Sequence, residues 1–375
     1  MSANDPGHSP VDKRYWVAFS LVRGIGAVRL RKLLDHFPDL QRAWHAGRAE
    51  LRRAGLGDRL LENLNQVRAS VDLDRVWADI DRQAITVTTW DEPDYPPRLR
   101  EIDQPPPVLY LLGGLIEADR WSVAIVGTRR NTPYGRQVTE LIAGDLAGRG
   151  ITVISGLARG IDTLAHRAAL AAGGRTLAVL GSGVDTVYPP ENRRLADELV
   201  RRGALISDYP PGTLPDGLHF PARNRIIAGL ALATVVVEAG EKSGALITAE
   251  FALEQGREVF AVPGSILAPQ SAGSNRLIQN GARPLLAVEE VLEALALARE
   301  LQYPEQPAPP ALDPDEQRLL VQLEGGALHF DDLCRLTEFQ ADRLAGLLTM
   351  LELKGLVVDA GGKQYMKTLR LRAEG

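Results

Sequence analysis

The sequence is poor in cysteine, and it has no long apolar run. Its one cysteine, Cys334, excludes an intramolecular disulfide and a zinc site built from cysteines. No stretch reaches the roughly 20 apolar residues that a membrane-spanning helix needs, and residues 1–13 lack the apolar segment of a secretion signal. These absences favour a cytoplasmic protein, and we expect no membrane partner.

Charge is unevenly distributed along the chain, although the net value of −5 gives no sign of a nucleic-acid partner. Residues 120–225 contain 14 Arg, no Lys and 9 acidic residues, whereas residues 312–353 contain 3 basic and 9 acidic residues. The central segment is therefore suited to an anionic ligand and the C-terminal one is not. Because 37 of the 43 basic residues are Arg, residue type alone singles out none of them, and position must decide.

The length of 375 residues predicts two or three domains. We expect a disordered leader at 1–13, a helical domain at 14–80, an α/β core at 84–296, a Pro-rich linker at 297–312 and a winged-helix-like domain at 313–370. In the helical domain, two turns with a Gly-hydrophobic-Gly pattern, at 24–26 and 55–57, each precede a helix. They resemble a helix-hairpin-helix or SAM-like bundle. Phosphate contact and helical packing or protein contact both remain open for it.

Short β-branched runs alternate with helical patterns through the core. This alternation predicts a Rossmann-like, doubly wound parallel sheet, buried on both faces. Ligands of such sheets bind at the carboxyl ends of the strands. The predicted strands of this sheet are 122–126, 152–155, 176–180, 204–207, 233–237 and 258–262.

Four of these strands end in Gly-rich loops, and three of the loops carry a cation. Glycine lets the backbone approach a phosphate, and a helix start beyond it supplies N–H donors. The dinucleotide and P-loop spacings are absent, so these motifs do not identify the anion. The candidate anion-binding residues are Gly127, Thr128, Arg129 and Arg130, then Ser155, Gly156, Arg159 and Gly160, and finally Lys242, Ser243 and Gly244.

The segment 208–225 is predicted to be a long Pro-rich loop that carries aromatic and cationic residues. An aromatic ring beside cations is how proteins hold single strands without reading their sequence. In the alternative interpretation, Phe220 fills a gap in the sheet while Arg223 or Arg225 pairs with Glu238 or Glu250. At least one of the three residues after Ala222 is expected to fix the loop. The candidate contacts of this segment are Phe220, Arg223, Asn224 and Arg225.

In their order along the chain, these segments resemble the DNA processing protein A family, also called DprA or Smf. The resemblance lies in residues 125–129, 155–162, 181–185, 220–230 and 242–249. It implies a core that dimerises, binds and protects single-stranded DNA and loads a RecA-type recombinase, including during natural transformation. A single-strand-binding protein is a further expected partner. No metal, cofactor or turnover is expected.

The resemblance also assigns DNA contacts to Arg129, Arg159 and Phe220, with Lys242 and Ser243 at the same strand edge. One departure concerns residues 216–219, which lack the basic residue that relatives often have just before the aromatic. A strong phosphate contact is therefore not expected at that point of the loop.

Two other functions remain as alternatives. The first is a nucleotide-processing Rossmann enzyme, similar to phosphoribohydrolases, with Glu238 as its catalytic carboxylate. Separately, Asp162 and His166 are four residues apart at a predicted helix start and have the spacing of a catalytic pair, although we favour an Asp N-cap beside a packed His. The second is a winged-helix regulator of duplex DNA. Its candidate recognition helix carries Arg343 as its one basic residue, and the acidic surroundings disfavour duplex binding. Because Lys363 and Lys367 lie in the predicted wing, duplex regulation remains as an alternative function.

Overall fold

The computed structural model describes residues 10–294 and 312–368. Most of the expected leader, the linker up to residue 311 and the last residues of the winged-helix-like segment lie outside these ranges. The first helix begins at Pro10, inside the segment that the sequence assigns to the leader. No helix of the described residues combines the length and apolar character needed to cross a bilayer.

The described helices fall into three groups along the chain. The N-terminal group is α1 (Pro10–Ser20), α2 (Ala27–His36), α3 (Leu40–His45), α4 (Arg48–Arg53), α5 (Asp58–Ser70) and α6 (Leu73–Arg82). The core group is α7 (Pro97–Arg100), α8 (Pro133–Gly148), α9 (Ile161–Ala171), α10 (Arg193–Arg202), α11 (His219–Leu230), α12 (Gly244–Glu254), α13 (Ala272–Gln279) and α14 (Val288–Ala294). The C-terminal group is α15 (Pro314–Gln322), α16 (Phe330–Thr337) and α17 (Ala341–Leu353).

The described strands form two sheets. The large sheet contains β1 (Thr86–Thr89), β2 (Val108–Gly113), β3 (Ser122–Val126), β4 (Thr152–Ser155), β5 (Thr176–Val179), β6 (Ala204–Ser207), β7 (Ala233–Val236), β8 (Glu258–Ala261) and β9 (Arg283–Pro284). The small sheet contains β10 (Leu328–His329), β11 (Val357–Gly361) and β12 (Gln364–Lys367). All six predicted core strands are present, and their ends agree with the prediction to within one residue.

The large sheet has the order β1-β2-β6-β5-β4-β3-β7-β8-β9. Strands β3 to β9 pair in parallel, whereas β1 and β2 extend one edge in antiparallel pairing. Every residue of β3 is buried, as expected for a strand covered by helices on both faces. The chain moves outward from β3 through β4, β5 and β6 and then returns to β7. This places the topological switch point between β3 and β7 and confirms the Rossmann-like fold class.

The N-terminal helices pack directly against the antiparallel edge of the sheet. Phe19 of α1 and Leu64 of α5 belong to the same apolar cluster as Val108 of β2. The hydroxyls of Ser20 and Tyr110 are 2.7 Å apart at this contact. The helical region and the sheet therefore share one apolar core.

The C-terminal segment is a winged helix, as the sequence predicts. Helices α15, α16 and α17 surround a leucine core, and β10, β12 and β11 form its antiparallel sheet. Arg343, in the predicted recognition helix α17, pairs with Asp315 at 2.8 Å. Lys367 of the wing pairs with Glu324 at 3.1 Å. These ion pairs satisfy two of the cations on which duplex recognition would depend.

The predicted loop at 208–225 is wrong in its second half, because α11 begins at His219. Pro221 is the third residue of this helix, where a missing N–H removes no bond within the helix. Phe220, Arg223, Asn224 and Arg225 therefore project from a rigid helix, and their positions follow its turns.

Candidate nucleic-acid interface

A cleft of about 880 Å³ lies at the carboxyl ends of β3 and β7, at the topological switch point. Its walls are the loop at 127–130, the loop at 240–244 and one face of α11. The residues of α11 that line it are Phe220, Pro221, Arg223, Asn224 and Ile227. The structure thus brings together loops that are far apart in the sequence, as the carboxyl-end rule predicts.

The loop after β3 is fixed by backbone contacts on two sides. The N–H of Thr128 donates to the carbonyl of Glu238 at 2.7 Å, and the N–H of Ile161 donates to the carbonyl of Thr128 at 3.2 Å. Gly160 has a φ of +77°, and a Cβ at this position would lie 2.3 Å from the Thr128 oxygen. Only glycine lets the two loops approach this closely, so Gly160 determines where Arg129 stands.

Three cations stand at the mouth of the cleft. Arg129, Arg130 and Lys242 line it, are exposed and have no ion pair among the described residues. Arg159, on the adjoining rim, is already paired with Glu191, and both side chains are at least half exposed. The mouth therefore carries a concentration of uncompensated positive charge.

Phe220 lies half-buried at this mouth. The guanidinium carbon of Arg129 is 5.6 Å from its ring centroid, and the ring of Tyr188 lies 5.6 Å away on another side. A Cβ at Gly181 would come within 2.9 Å of the ring, so the absence of a side chain at Gly181 leaves room for the ring. Tyr188, which is 38% exposed, was missed as a site residue. The Tyr188-Pro189 pair gave no chemical signal of its own in the sequence.

The loop just before Phe220, residues 216–219, contains no Lys or Arg. The Asp216 carboxylate accepts the N–H of Leu218 at 2.8 Å. His219 stacks on Tyr209 with ring centroids 4.1 Å apart. Positive charge at the mouth comes from the β3 and β7 loops instead.

Arg223 is 4% exposed, and it supports the floor of the cleft. Its guanidinium donates to the carbonyl of Val179. It also packs on Gly156, where a Cβ would lie 2.1 Å from Nη1. Burial lowers the pKa of Arg223 to about 10, so the group remains charged at neutral pH with Asp162 nearby. Arg223 therefore joins the ends of β4 and β5 to α11.

Asn224, Arg225 and Ser155 also make contacts within the protein. The amide of Asn224 donates to the carbonyl of Gly244 at 3.2 Å and so joins α11 to the β7 loop. Arg225 lies on another face of α11, where it pairs with Asp208 at 2.8 Å. The predicted pairs with Glu238 or Glu250 are not formed among the described residues. Ser155 is buried and its hydroxyl donates to the backbone carbonyl of residue 125 at 2.6 Å.

Asp162 and His166 are both buried behind the cleft. The Asp162 carboxylate accepts the N–H of Gly156 at 3.1 Å, and burial raises its pKa. The predicted N-cap role is wrong, because Gly160 is the N-cap of α9. The packed histidine is confirmed: His166 is fully buried, and its Nδ1 lies 2.7 Å from the hydroxyl of Thr176.

Glu238, the candidate catalytic carboxylate of the enzyme alternative, is 1% exposed. It accepts the N–H of Thr132 at 2.9 Å and the hydroxyl of the same residue at 2.5 Å. A Cβ at Gly135 would lie 2.1 Å from one of its oxygens, so α8 packs directly on the carboxylate. Glu238 therefore fixes the start of α8 and is not available to a ligand in the cleft.

Fold and site together define a Rossmann-like protein with an open, cation-rimmed cleft at its switch point and a winged helix at its C-terminal end. Residues 86–296 match the profile of the family described as DNA recombination-mediator protein A. Residues 303–363 match the DprA winged helix domain. The chain belongs to the DNA recombination-mediator protein A family, which confirms the resemblance drawn from its motifs.

Individual relatives agree with this assignment. Protein Smf of Synechocystis is 35% identical over 393 residues, covering 95% of this chain and 99% of the relative. The DNA processing protein DprA of Bacillus subtilis is 44% identical over 62% of this chain and 78% of its own length.

Two solved structures resemble the chain. The X-ray structure of DprA from Streptococcus pneumoniae matches with a TM-score of 0.64 and 34% identity, over 77% of this chain and 97% of that one. The Helicobacter pylori DprA structure, described for its single-stranded DNA binding mode, matches with a TM-score of 0.52 and 28% identity. It covers 58% of this chain and 97% of that one.

Proposed function

We propose that this chain is a recombination mediator that holds single-stranded DNA in the cleft at the β3–β7 switch point. One observation carries the proposal: Arg129, Arg130 and Lys242 are exposed, form no ion pair within the described ranges and surround the partly buried ring of Phe220. Cations neutralise phosphates, and an aromatic ring stacks on any unpaired base without reading it. The likeness to the H. pylori protein supports the same ligand.

The proposed contacts divide into two kinds. Arg129, Arg130, Lys242 and Phe220 touch the strand directly, and Arg159 joins them when a phosphate replaces Glu191. Backbone N–H groups at Gly127, Gly160 and Gly244 are the proposed further phosphate contacts. The N–H groups of Thr128, Gly156 and Ser243 donate within the protein and hold these loops in place. Arg223, Asn224, Arg225 and Ser155 position these groups from behind.

Single strands are preferred because the ring of Phe220 needs a base that is not already stacked in a duplex. In this proposal the protein works as a cytoplasmic homodimer. It protects incoming strands and loads a RecA-type recombinase on them, with a single-strand-binding protein as a further partner. It performs no turnover. The burial of Glu238 supports a binding function over nucleotide processing.

The test is an affinity titration on a labelled oligothymidine and on a blunt duplex, across a range of salt. Each neutralised phosphate of a single strand contributes about −0.7 to the slope of log affinity on log salt. Arg129→Ala should weaken binding and flatten this slope by about that amount. Phe220→Ala should cost about 1–3 kcal/mol of binding free energy and leave the slope nearly unchanged.

Arg167→Ala, at an exposed position on α9 outside the cleft lining, is the matched control and should bind as the parent does. Duplex affinity equal to or above single-strand affinity would contradict the proposal. Nucleotide hydrolysis that disappears in Glu238→Gln would favour the enzyme alternative.

A further inference from the structure

A second basic surface lies on the N-terminal helices. Residues 23–59 contain nine basic residues against four carboxylates. All nine basic side chains are exposed: Arg23, Arg29, Arg31, Lys32, Arg42, Arg48, Arg52, Arg53 and Arg59. None of them lines the cleft described above.

The two glycine turns of this region lie side by side. Gly24 and Gly55 have φ values of +96° and +92°, so both turns use the left-handed region at the same position. A Cβ at Gly24 would lie 2.9 Å from Leu60 of α5, and one at Gly55 would lie 3.5 Å from Lys32 of α2. Each turn therefore packs on the helix that follows the other turn, and the two form one surface.

Some of the basic side chains are already used within the bundle. Asp58 accepts from Arg48 at 2.8 Å and also from Arg52, and these contacts lower its pKa. Arg29 donates to the carbonyl of Gly24 at 2.6 Å and so closes the first turn.

Four cations beside the turns remain uncompensated. Arg23 adjoins the first turn, Lys32 contacts the second, and Arg53 and Arg59 stand on either side of the second in sequence. These four residues, which we call the turn patch, form no ion pair within the described ranges and are all exposed. The side-chain amide of Asn63 on α5 donates to the backbone carbonyl of Arg23 at 2.8 Å. This hydrogen bond fixes the first turn against α5, the helix that also carries Arg59.

We propose that the turn patch binds the phosphate backbone of duplex DNA, so that the chain engages junctions between a single strand and a duplex. The aromatic residues between the two turns, Phe37 and Trp44, are each 6% exposed and offer no ring to an unstacked base. Cations without a stacking surface contact phosphates and leave the bases unread. The patch and the cleft thus have complementary ligands, a paired backbone and an unpaired strand. Only the single-strand half of the junction rests on the proposed function of the cleft.

The experiment compares three DNAs with the full chain: an oligothymidine, a blunt duplex, and a duplex that carries the oligothymidine as a tail. At low salt the tailed duplex should bind about tenfold more tightly than the oligothymidine, and this gain should fall steeply with salt. The double variant Lys32→Gln/Arg59→Gln should lose most of the gain. It should also reduce the salt slope for the tailed duplex by about 1.8, at about 0.9 for each phosphate of a duplex.

The matched control is Arg167→Gln/Arg201→Gln, which removes the same charge from exposed positions on α9 and α10. It should keep the gain, and both doubles should keep the parent's melting temperature and oligothymidine affinity. The proposal would be overturned if the parent bound the tailed duplex no more tightly than the oligothymidine. Equal losses in both double variants, or a patch variant that loses oligothymidine affinity instead, would also overturn it. Arg129→Ala separates the two sites, because it should weaken oligothymidine binding and leave the blunt duplex unaffected.

Discussion

Replacing Arg223 by alanine tests whether this residue is a structural support or a DNA contact. Its side chain lines the cleft, yet it is 4% exposed and donates to the carbonyl of Val179 at the end of β5. We expect Arg223→Ala to act first on folding. The exposed Arg129 at the mouth of the same cleft should behave in the opposite way.

The magnitude follows from what the guanidinium leaves behind. Its removal takes a charged donor from a buried carbonyl and leaves the buried carboxylate of Asp162 without its nearby cation. Leaving a buried charge uncompensated costs about 3–5 kcal/mol, which is a large share of the 5–15 kcal/mol typical of a folded protein. Arg129→Ala, a surface change, should stay within about 0.5 kcal/mol.

Urea denaturation followed by far-UV circular dichroism measures the difference. With a slope of about 3 kcal/mol per molar urea, Arg223→Ala should lower the midpoint by about 1 M or more. Arg223→Lys keeps the charge without the planar fork and should recover only part of the loss. Below its transition the alanine variant should bind oligothymidine less tightly with an unchanged salt slope. Parental stability combined with a slope flattened by about 0.7 would identify Arg223 as a phosphate contact and refute this reasoning.

Two further predictions concern the residues behind the cleft. Gly160→Ala should destabilise the fold and weaken DNA binding together, because its Cβ would lie 2.3 Å from the Thr128 oxygen and displace the loop that carries Arg129; a thermal melt and a titration that show no change would contradict this. His166 should make stability fall with acidification, since burial lowers its pKa from 6.5 to about 3, and below pH 6.5 the unfolded chain therefore takes up a proton that the folded chain does not. The loss between pH 7 and pH 5 should be about 2 kcal/mol, and urea midpoints for His166→Leu should be flatter over this interval than those of the parent.

The sequence was most informative about the strands. Runs such as 122–126 and 204–207 are short, largely apolar and followed by Gly127 and Asp208, and both are strands with those bounds. The carboxyl-end rule then placed the cleft correctly, because parallel strands bring their following loops to one edge. The positions of the strands can be predicted from local sequence alone. The order of the strands in the sheet is then the only further information needed to say which loops meet at the site.

The side chains of α11 show what local patterns leave open. Prolines at 210–215 and Pro221 indicated a loop through residue 225, whereas Pro221 is tolerated in the first turn of a helix. Once the helix is in place, its periodicity decides that Arg223 faces the cleft and Arg225 faces Asp208. Arg223 is buried because Gly156, 67 positions earlier in the numbering, makes room for it. Contacts of this range have no signature in composition or spacing.

The joining of the two loops across β3 and β7 has a consequence for how the chain is made. Thr132 and Glu238, which connect these loops, are 106 residues apart, and β7 is the strand that covers one edge of β3. A nascent chain that ends before Ala233 therefore leaves β3 with unpaired N–H and C=O groups, which are a template for aggregation. Contacts of such long range also slow folding. We therefore expect the cleft to form only after β7 has been synthesised, because this strand closes the edge of β3 and the loop that follows it completes the binding site.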